Sequence, residues 1–281
     1  MTTDTSHPNG HFYSPVVDPE SLLERKDTIW PAHPEVLGID FNDEYHLTVL
    51  TEYFPRHFPK YDYPEHRLEG ANDSAFYTQN SQFSWLDCRT LFVLLNEWRP
   101  SRYVEVGSGF SSLLAADINA RYLDNACSVR CVEPYPREFL LKPIDGLSEV
   151  VQSKVELLPL KFFSELAAGD VLFIDSSHVS KTGSDVNYLV FEILPRLARG
   201  VKIHIHDLFF PHDYPSDWVL EENRSWNEQY LIRALLMYSN RFRVLFGCSY
   251  AHHKFPQQVA SALNLPDGRA FAGGSLWLSV V

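Results

Sequence analysis

The stretch Arg102-Tyr103-Val104-Glu105-Val106-Gly107-Ser108-Gly109-Phe110-Ser111-Ser112-Leu113-Leu114 decides how the rest of the chain is read. Tyr103 to Val106 are strand formers, the two glycines permit a tight turn and close backbone approach to a ligand, and Ser111 or Ser112 could cap the next helix. A buried strand therefore turns sharply into a helix. Such a turn is expected to leave free N–H groups facing a cleft.

Outward from this turn, strands and helices alternate. Leu91, Leu94, Leu95 and Trp98 recur at helical spacing, so Trp85 to Trp98 is predicted helical and stops at Pro100. After the turn, Leu114, Ile118 and Tyr122 share a helical face, and Val129 to Val132 reads as a second strand ending in Glu133-Pro134. Val155 to Pro159 is expected as the third strand and Val171 to Ile174 as the fourth, ending at Asp175. A helix over Ser184 to Ala198, closed by Gly200, leads to a fifth strand, Val201 to Ile205, ending in His206-Asp207. Another helix is expected over Asn227 to Tyr238. Phe242 to Phe246 and Ser275 to Val280 then close the chain as an antiparallel hairpin joined by a polar loop. The order implies an α/β fold with a mainly parallel, doubly wound, Rossmann-like sheet covered by helices on both faces.

Composition narrows the partners. The chain has 281 residues, of which 45% are hydrophobic, ample for a packed core. Its 24 basic against 36 acidic residues give a net charge of −12, and no basic block tracks a phosphate backbone, so nucleic acid is not an expected partner. No apolar run approaches a membrane span and Met1 to Asn9 lacks the features of a secretory signal, so a cytoplasmic protein is expected. Cys88, Cys127, Cys131 and Cys248 form no C-x-x-C pair and read as buried reduced thiols. Residues 1 to about 35 form an irregular arm. Val36 to Arg67 then carries aromatics among prolines, which suit packing on the core, a lid over the site or a dimer contact. We expect residues 1–75 to be an arm and cap segment and residues 76–281 the catalytic domain.

In such a sheet, ligands bind beyond the carboxyl ends of the strands. Those ends carry Glu105, Glu133, Asp175 and His206-Asp207, polar groups that an apolar core does not require. A dinucleotide fingerprint would place glycine or alanine at 112, where this chain has serine. A carboxylate at Glu105, expected to face the cleft, would repel a pyrophosphate but suit a cationic ligand, so E-x-G-x-G favours S-adenosylmethionine over a nicotinamide dinucleotide. Glu133 follows Gly109 by 24 residues, near the spacing of a ribose-binding acid. His204 reads as a core histidine. His178, as a neutral imidazole with a pKa of about 6.5, is a competent base for an acceptor hydroxyl. Asp175, His206 and Asp207 could instead converge on one cation.

In order along the chain come Ile174-Asp175-Ser176-Ser177-His178, Asp185, Pro195-Arg196-Leu197, Gly200 and His206-Asp207. With Glu105-x-Gly-x-Gly, this succession resembles the class I S-adenosylmethionine-dependent methyltransferases over residues 76–281. The branch it is similar to contains metal-dependent sugar and catechol-type O-methyltransferases. The resemblance implies a seven-stranded sheet with an antiparallel last strand, and a cofactor lying across Glu105, Gly107, Ser108, Gly109, Phe110, Glu133 and Asp175. It also implies a divalent ion at Asp175, His206 and Asp207. Imidazole at His206, where relatives carry oxygen donors, points toward Mn, Fe or Zn rather than Mg.

The function so implied is methyl transfer to a hydroxyl of a small molecule, a sugar or an aromatic secondary metabolite, with His178, Asp175 and Asp207 as the catalytic group. Phe209 to Trp226 would form the acceptor wall. Two further readings stay open: a metal-dependent hydrolase or oxygenase using the Asp/His cluster, and a cofactor-binding scaffold without catalysis. A homo-oligomer is left open as well.

Overall fold

A computed structural model describes residues 6–265 and 273–281. Strands β1 (Arg102–Val106), β2 (Ser128–Val132), β3 (Glu149–Val151), β4 (Val171–Ile174), β5 (Lys202–Ile205), β6 (Phe242–Gly247) and β7 (Leu276–Val280) form one seven-stranded sheet. Their order is β3-β2-β1-β4-β5-β7-β6. The strands from β3 to β5 pair in parallel, while β7 runs antiparallel to both β5 and β6. The expected Rossmann-like sheet is thus present, mainly parallel and with an antiparallel last strand.

Its parallel strands are apolar on both faces because both faces are covered. One face is packed by α1 (Asp43–Thr48), α2 (Trp85–Trp98) and α3 (Phe110–Tyr122), with Leu91, Leu94, Leu114, Ile118, Phe173 and Trp277 in a common core. Each fully buried leucine there contributes about 2 kcal/mol. The other face carries α4 (Asp185–Tyr188) and α5 (Glu228–Tyr238), with Val186, Leu189, Ile193, Ile203 and Ile232 in a second core. No helix among the described residues is long and apolar enough to cross a membrane.

Three elements depart from the sequence reading. The third strand is Glu149–Val151, not Val155 to Pro159. The latter segment is a tight turn in which Leu157 is 73% exposed, and Pro159 has no N–H to offer a ladder. The single helix expected over Ser184 to Ala198 is α-helical only over α4. It widens over Leu189–Ile193 and tightens over Leu194–Arg196, because Pro195 removes an i→i−4 hydrogen bond. The loop expected after β6 contains α6 (Cys248–Lys254) and α7 (Pro256–Ala262); part of the remainder lies outside the described residues.

The aromatic segment before residue 75 packs on the first core through Tyr45, Tyr53, Phe58, Tyr61 and Tyr63, with Val49, Leu50 and Phe54 fully buried. His46 anchors it: Nε2 accepts from the Gly247 N–H at 2.8 Å, while Nδ1 faces the Asn42 carbonyl at 3.3 Å. Burial lowers the His46 pKa to about 4. The unfolded chain therefore binds a proton near pH 6.5 that the folded chain refuses until about pH 4. We expect stability to be full above pH 6.5 and to fall by about 3 kcal/mol as the pH drops through this window. Urea denaturation across that range measures it, and His46→Gln should flatten the His46 share of the slope.

Candidate active site

The hydrogen-bond ladder continues one residue past the strands and brings their ends level. Gly107 N–H donates to Val132 O (3.0 Å), Asp175 N–H to Val106 O (2.8 Å) and His206 N–H to Ile174 O (2.9 Å). Gly107 has φ +81°, and a Cβ there would stand 1.7 Å from the Asp175 carbonyl oxygen, so only glycine fits.

Two adjoining cavities open over these ends. One, of about 440 Å³, is lined by Val106, Val132, Pro134 and Val155 among others. The other, of about 620 Å³, takes in Ser108 to Ser111, His178, His206, Asp207, Trp218 and Trp226. Gly107, Glu133, Tyr135, Asp175 and Ser176 border both. Within the turn, Glu133 accepts from the Ser108 N–H (3.0 Å) and the Tyr135 N–H (2.8 Å), and Gly109 N–H donates to Ser112 Oγ (3.1 Å) at the start of α3.

Glu105 is placed differently from the expectation of a cleft-facing carboxylate. It is fully buried beneath the turn, accepting from Ser111 Oγ (2.7 Å), Ser112 Oγ (2.7 Å) and Tyr103 Oη (2.8 Å). Burial pushes its pKa up to about 7 even against those hydrogen bonds. Its role is to tie strand, turn and helix together, because strand alternation turns its side chain toward α3.

The chemistry concentrates around His178, which is 5% exposed. Its Nε2 lies 3.2 Å from Asp175 Oδ1 and 3.4 Å from Asp207 Oδ2, and its Nδ1 lies 3.0 Å from Glu228 Oε2. Both His178 (φ +58°) and Asp207 (φ +55°) adopt left-handed backbone that surrounding contacts must hold. Ser177 N–H and Oγ close the turn on Asp185 at 2.8 and 2.6 Å, and Ser176 Oγ donates to Glu228. Trp226 covers the imidazole at 4.4 Å, and the Arg224 guanidinium lies over both Trp218 (4.0 Å) and Trp226 (4.8 Å).

Three carboxylates around one imidazole reverse the expected charge of His178. Burial opposes its protonation, yet hydrogen bonds to Asp175 and Glu228 and the charges of Asp175 and Asp207 push its pKa up to about 10. The carboxylates favour the protonated ring, whereas the sequence reading takes His178 as a neutral base. Asp175 is pushed up by burial, but the charges of His206 and His178 win and hold it below its usual range. For Asp207 burial wins and raises it, with the repulsion of Asp175 adding to the effect.

Asp175, His178 and Asp207 each bring a ligand atom within 4.8 Å of the others. His206, expected in that group, stands deeper: its Nε2 is 3.6 Å from Asp207 Oδ1, and its ring packs on Phe83 and on His204. His204 is a core residue stacked on Phe173 at 3.7 Å, its Nε2 beside Ser275 Oγ at 2.8 Å. His212, in the loop after β5, packs edge-on against His253. Glu228 escaped the sequence reading, which placed Trp226 in the acceptor wall but not over His178. An acid in the first turn of a helix is ordinary helix chemistry, and only the fold brings Glu228 to a histidine 50 residues earlier.

Residues 104–208 match a family described as a methyltransferase domain. A protein of Archaeoglobus fulgidus, named only as uncharacterized, is 36% identical over 166 residues, spanning 57% of this chain and 73% of that one. Among solved structures, the chain is similar to the O-methyltransferase TomG from Streptomyces achromogenes, involved in tomaymycin synthesis and solved with SAM. That match has 13% identity and a TM-score of 0.39, covering 93% of this chain and 96% of TomG. A second match is cofactor-bound Rv0187 from MTB, at 14% identity and a TM-score of 0.39, covering 94% and 97%.

Replacing Glu228 by Gln removes one of the three carboxylates facing His178. We expect the His178 pKa to fall from about 10 toward neutrality. Nitrogen-detected NMR titration of the imidazole in the presence of a chelator reads this shift directly.

Proposed function

The chain belongs to the class I S-adenosylmethionine-dependent methyltransferases, and on that premise we propose that it methylates a hydroxyl oxygen of a small molecule, a sugar or an aromatic metabolite. The observation that carries this reading is the placement of His178 between Asp175 and Asp207, in a cavity that also contains the glycine turn. The methyl donor would lie along Gly107, Ser108, Gly109, Phe110 and Glu133, with its adenosine end toward Pro134 and Val155. The acceptor would enter beside Asp207 under Trp218 and Trp226.

The donor's sulfonium supplies an activated methyl group, so the protein's task is to align an oxygen with it and to manage one proton. As the acceptor oxygen bonds the methyl carbon, the carbon–sulfur bond breaks and its electron pair stays on sulfur, giving S-adenosylhomocysteine. The hydroxyl proton passes to Asp207, whose raised affinity for protons suits it to the task. His178 supplies the positive charge that keeps two carboxylates together and orients the Asp207 oxygen. Glu105 supports the turn from below without touching either substrate.

The cluster's donor set also fits a divalent ion. Asp175 and Asp207 offer oxygen, and His178 offers Nε2 while Glu228 fixes its other nitrogen, the arrangement usual around ligating histidines. Mixed nitrogen and oxygen donors favour Mn, Fe or Zn over Mg. Such an ion would lower the pKa of the acceptor hydroxyl and fix its position. The methyltransferase-domain match over residues 104–208 favours methyl transfer over hydrolysis or oxygenation at the Asp/His cluster.

Calorimetric titration with S-adenosylmethionine and S-adenosylhomocysteine, with and without Mn²⁺, tests the donor site; no heat with either nucleoside would sink the reading. In a screen of sugars and catechols followed by S-adenosylhomocysteine release, His178→Ala should lower turnover by about 100-fold. Undiminished turnover would remove His178 from the mechanism.

A further inference from the structure

The reaction-site reading assigns no task to Asp87, a 7% exposed carboxylate in the first turn of α2. An acid there ordinarily serves its own helix. Here each oxygen instead accepts a backbone N–H from residues far along the chain: Oδ2 from Gly274 (3.0 Å) and Oδ1 from Ser275 (2.9 Å). No ion pair to Asp87 occurs among the described residues, so these N–H groups do the work that a cation would otherwise do for a buried carboxylate.

The segment Gly273-Gly274-Ser275 is pressed between Asp87 and Asp207. A Cβ at Gly273 would stand 2.4 Å from Asp87 Oδ1, and one at Gly274 would stand 2.9 Å from the Asp207 Cα and 3.1 Å from the Asp207 N. Gly274 O accepts the N–H of Leu208, the residue after Asp207, at 2.8 Å. Downstream, Ser275 O accepts from Cys248 N–H and Ser275 Oγ meets His204, so the strap cannot slide along the sheet. Asp207 sits in left-handed backbone at φ +55°, a strained conformation for an aspartate that persists only where neighbours enforce it. The strap is the neighbour in contact with its backbone, and Asp87 is what holds the strap.

We propose that Asp87 is a positioning residue for Asp207: it clamps the Gly273-Gly274-Ser275 strap against the Asp207 backbone and so fixes where the Asp207 carboxylate points. The inference rests on Asp207 belonging to the reaction site. Its geometric part stands apart from the identity of the acceptor. A carboxylate is required because two N–H donors must be met at once. Asparagine keeps the volume but turns a donor toward one of them.

The test uses full-length Asp87→Ala and Asp87→Asn proteins, with Asp87→Asn deciding if Asp87→Ala does not fold. Three readouts apply: affinity for S-adenosylmethionine, steady-state kinetics with the acceptor found in the screen, and crystal structures. We expect donor affinity to stay within about 2-fold, while kcat per folded molecule falls by about 10- to 100-fold, the usual loss when a reacting group is displaced by about 1 Å. Asp207 should leave φ +55° and move away from His178. A lowered Tm with unchanged kcat, or a crystal structure with Asp207 unmoved, overturns the proposal and leaves Asp87 a residue of the fold alone. If the wild type methylates no acceptor, the function reading fails by itself, and the position of Asp207 in the variant still decides the role of Asp87.

Discussion

Between Gly107 and the carbonyl of Asp175 there is no room for a side chain, and the geometry of the site follows from that closeness. The ends of β1, β2 and β4 are drawn together by Gly107 N–H to Val132 O and Asp175 N–H to Val106 O, at 3.0 and 2.8 Å. With the backbones in contact, the turn after β1 and the loop after β4 open onto the same space. Glu105 then holds the turn from beneath, its oxygens saturated by Ser111, Ser112 and Tyr103. A buried carboxylate with fewer partners would be costly, and a hydrophobic residue would leave three hydroxyls unsatisfied.

The same economy governs the charges around His178. Three carboxylates, Asp175, Asp207 and Glu228, surround one imidazole, and His206 stands behind Asp207. Close carboxylates shielded from solvent repel one another, and a positive imidazole between them makes their proximity tolerable. A divalent ion could meet the same demand, since it would accept the carboxylates that now face the His178 N–H. In either case, the need for positive charge among these carboxylates constrains the site more tightly than the identity of any one side chain.

Much of the architecture was legible in the sequence because its causes are local or periodic. The leucines of α2 recur at helical spacing, Arg99 takes the left-handed conformation that ends the helix, and Pro100 prevents its continuation, so that element could be bounded in advance. The ends of β1, β2, β4 and β5 announced themselves as polar residues after apolar runs. What could not be read is set by tertiary contact. Glu105 looks like a cleft residue until the serines of α3 are seen to take its oxygens. The charge of His178 depends on Glu228, which arrives from another helix. The third strand was misplaced because Val155 to Pro159 and Glu149 to Val151 are both short apolar stretches, and pairing with β2 selects the latter.

The loop after β5, proposed above to border the acceptor, is anchored at both ends. Phe209 to Trp226 is an excursion of 18 residues whose two ends are fastened separately. At one end Leu208 N–H is bound to Gly274 O, and Phe209 is held by Gln229 and Ser249; at the other, Asn227 and Glu228 N–H donate to His178 O. The sheet and the glycine turn lie outside that excursion. Its contents can therefore be exchanged as a cassette while the edges that grip it stay in register. On the acceptor side proposed above, changes within this loop would alter the lining contributed by Trp218, Arg224 and Trp226 while the glycine turn stays as it is.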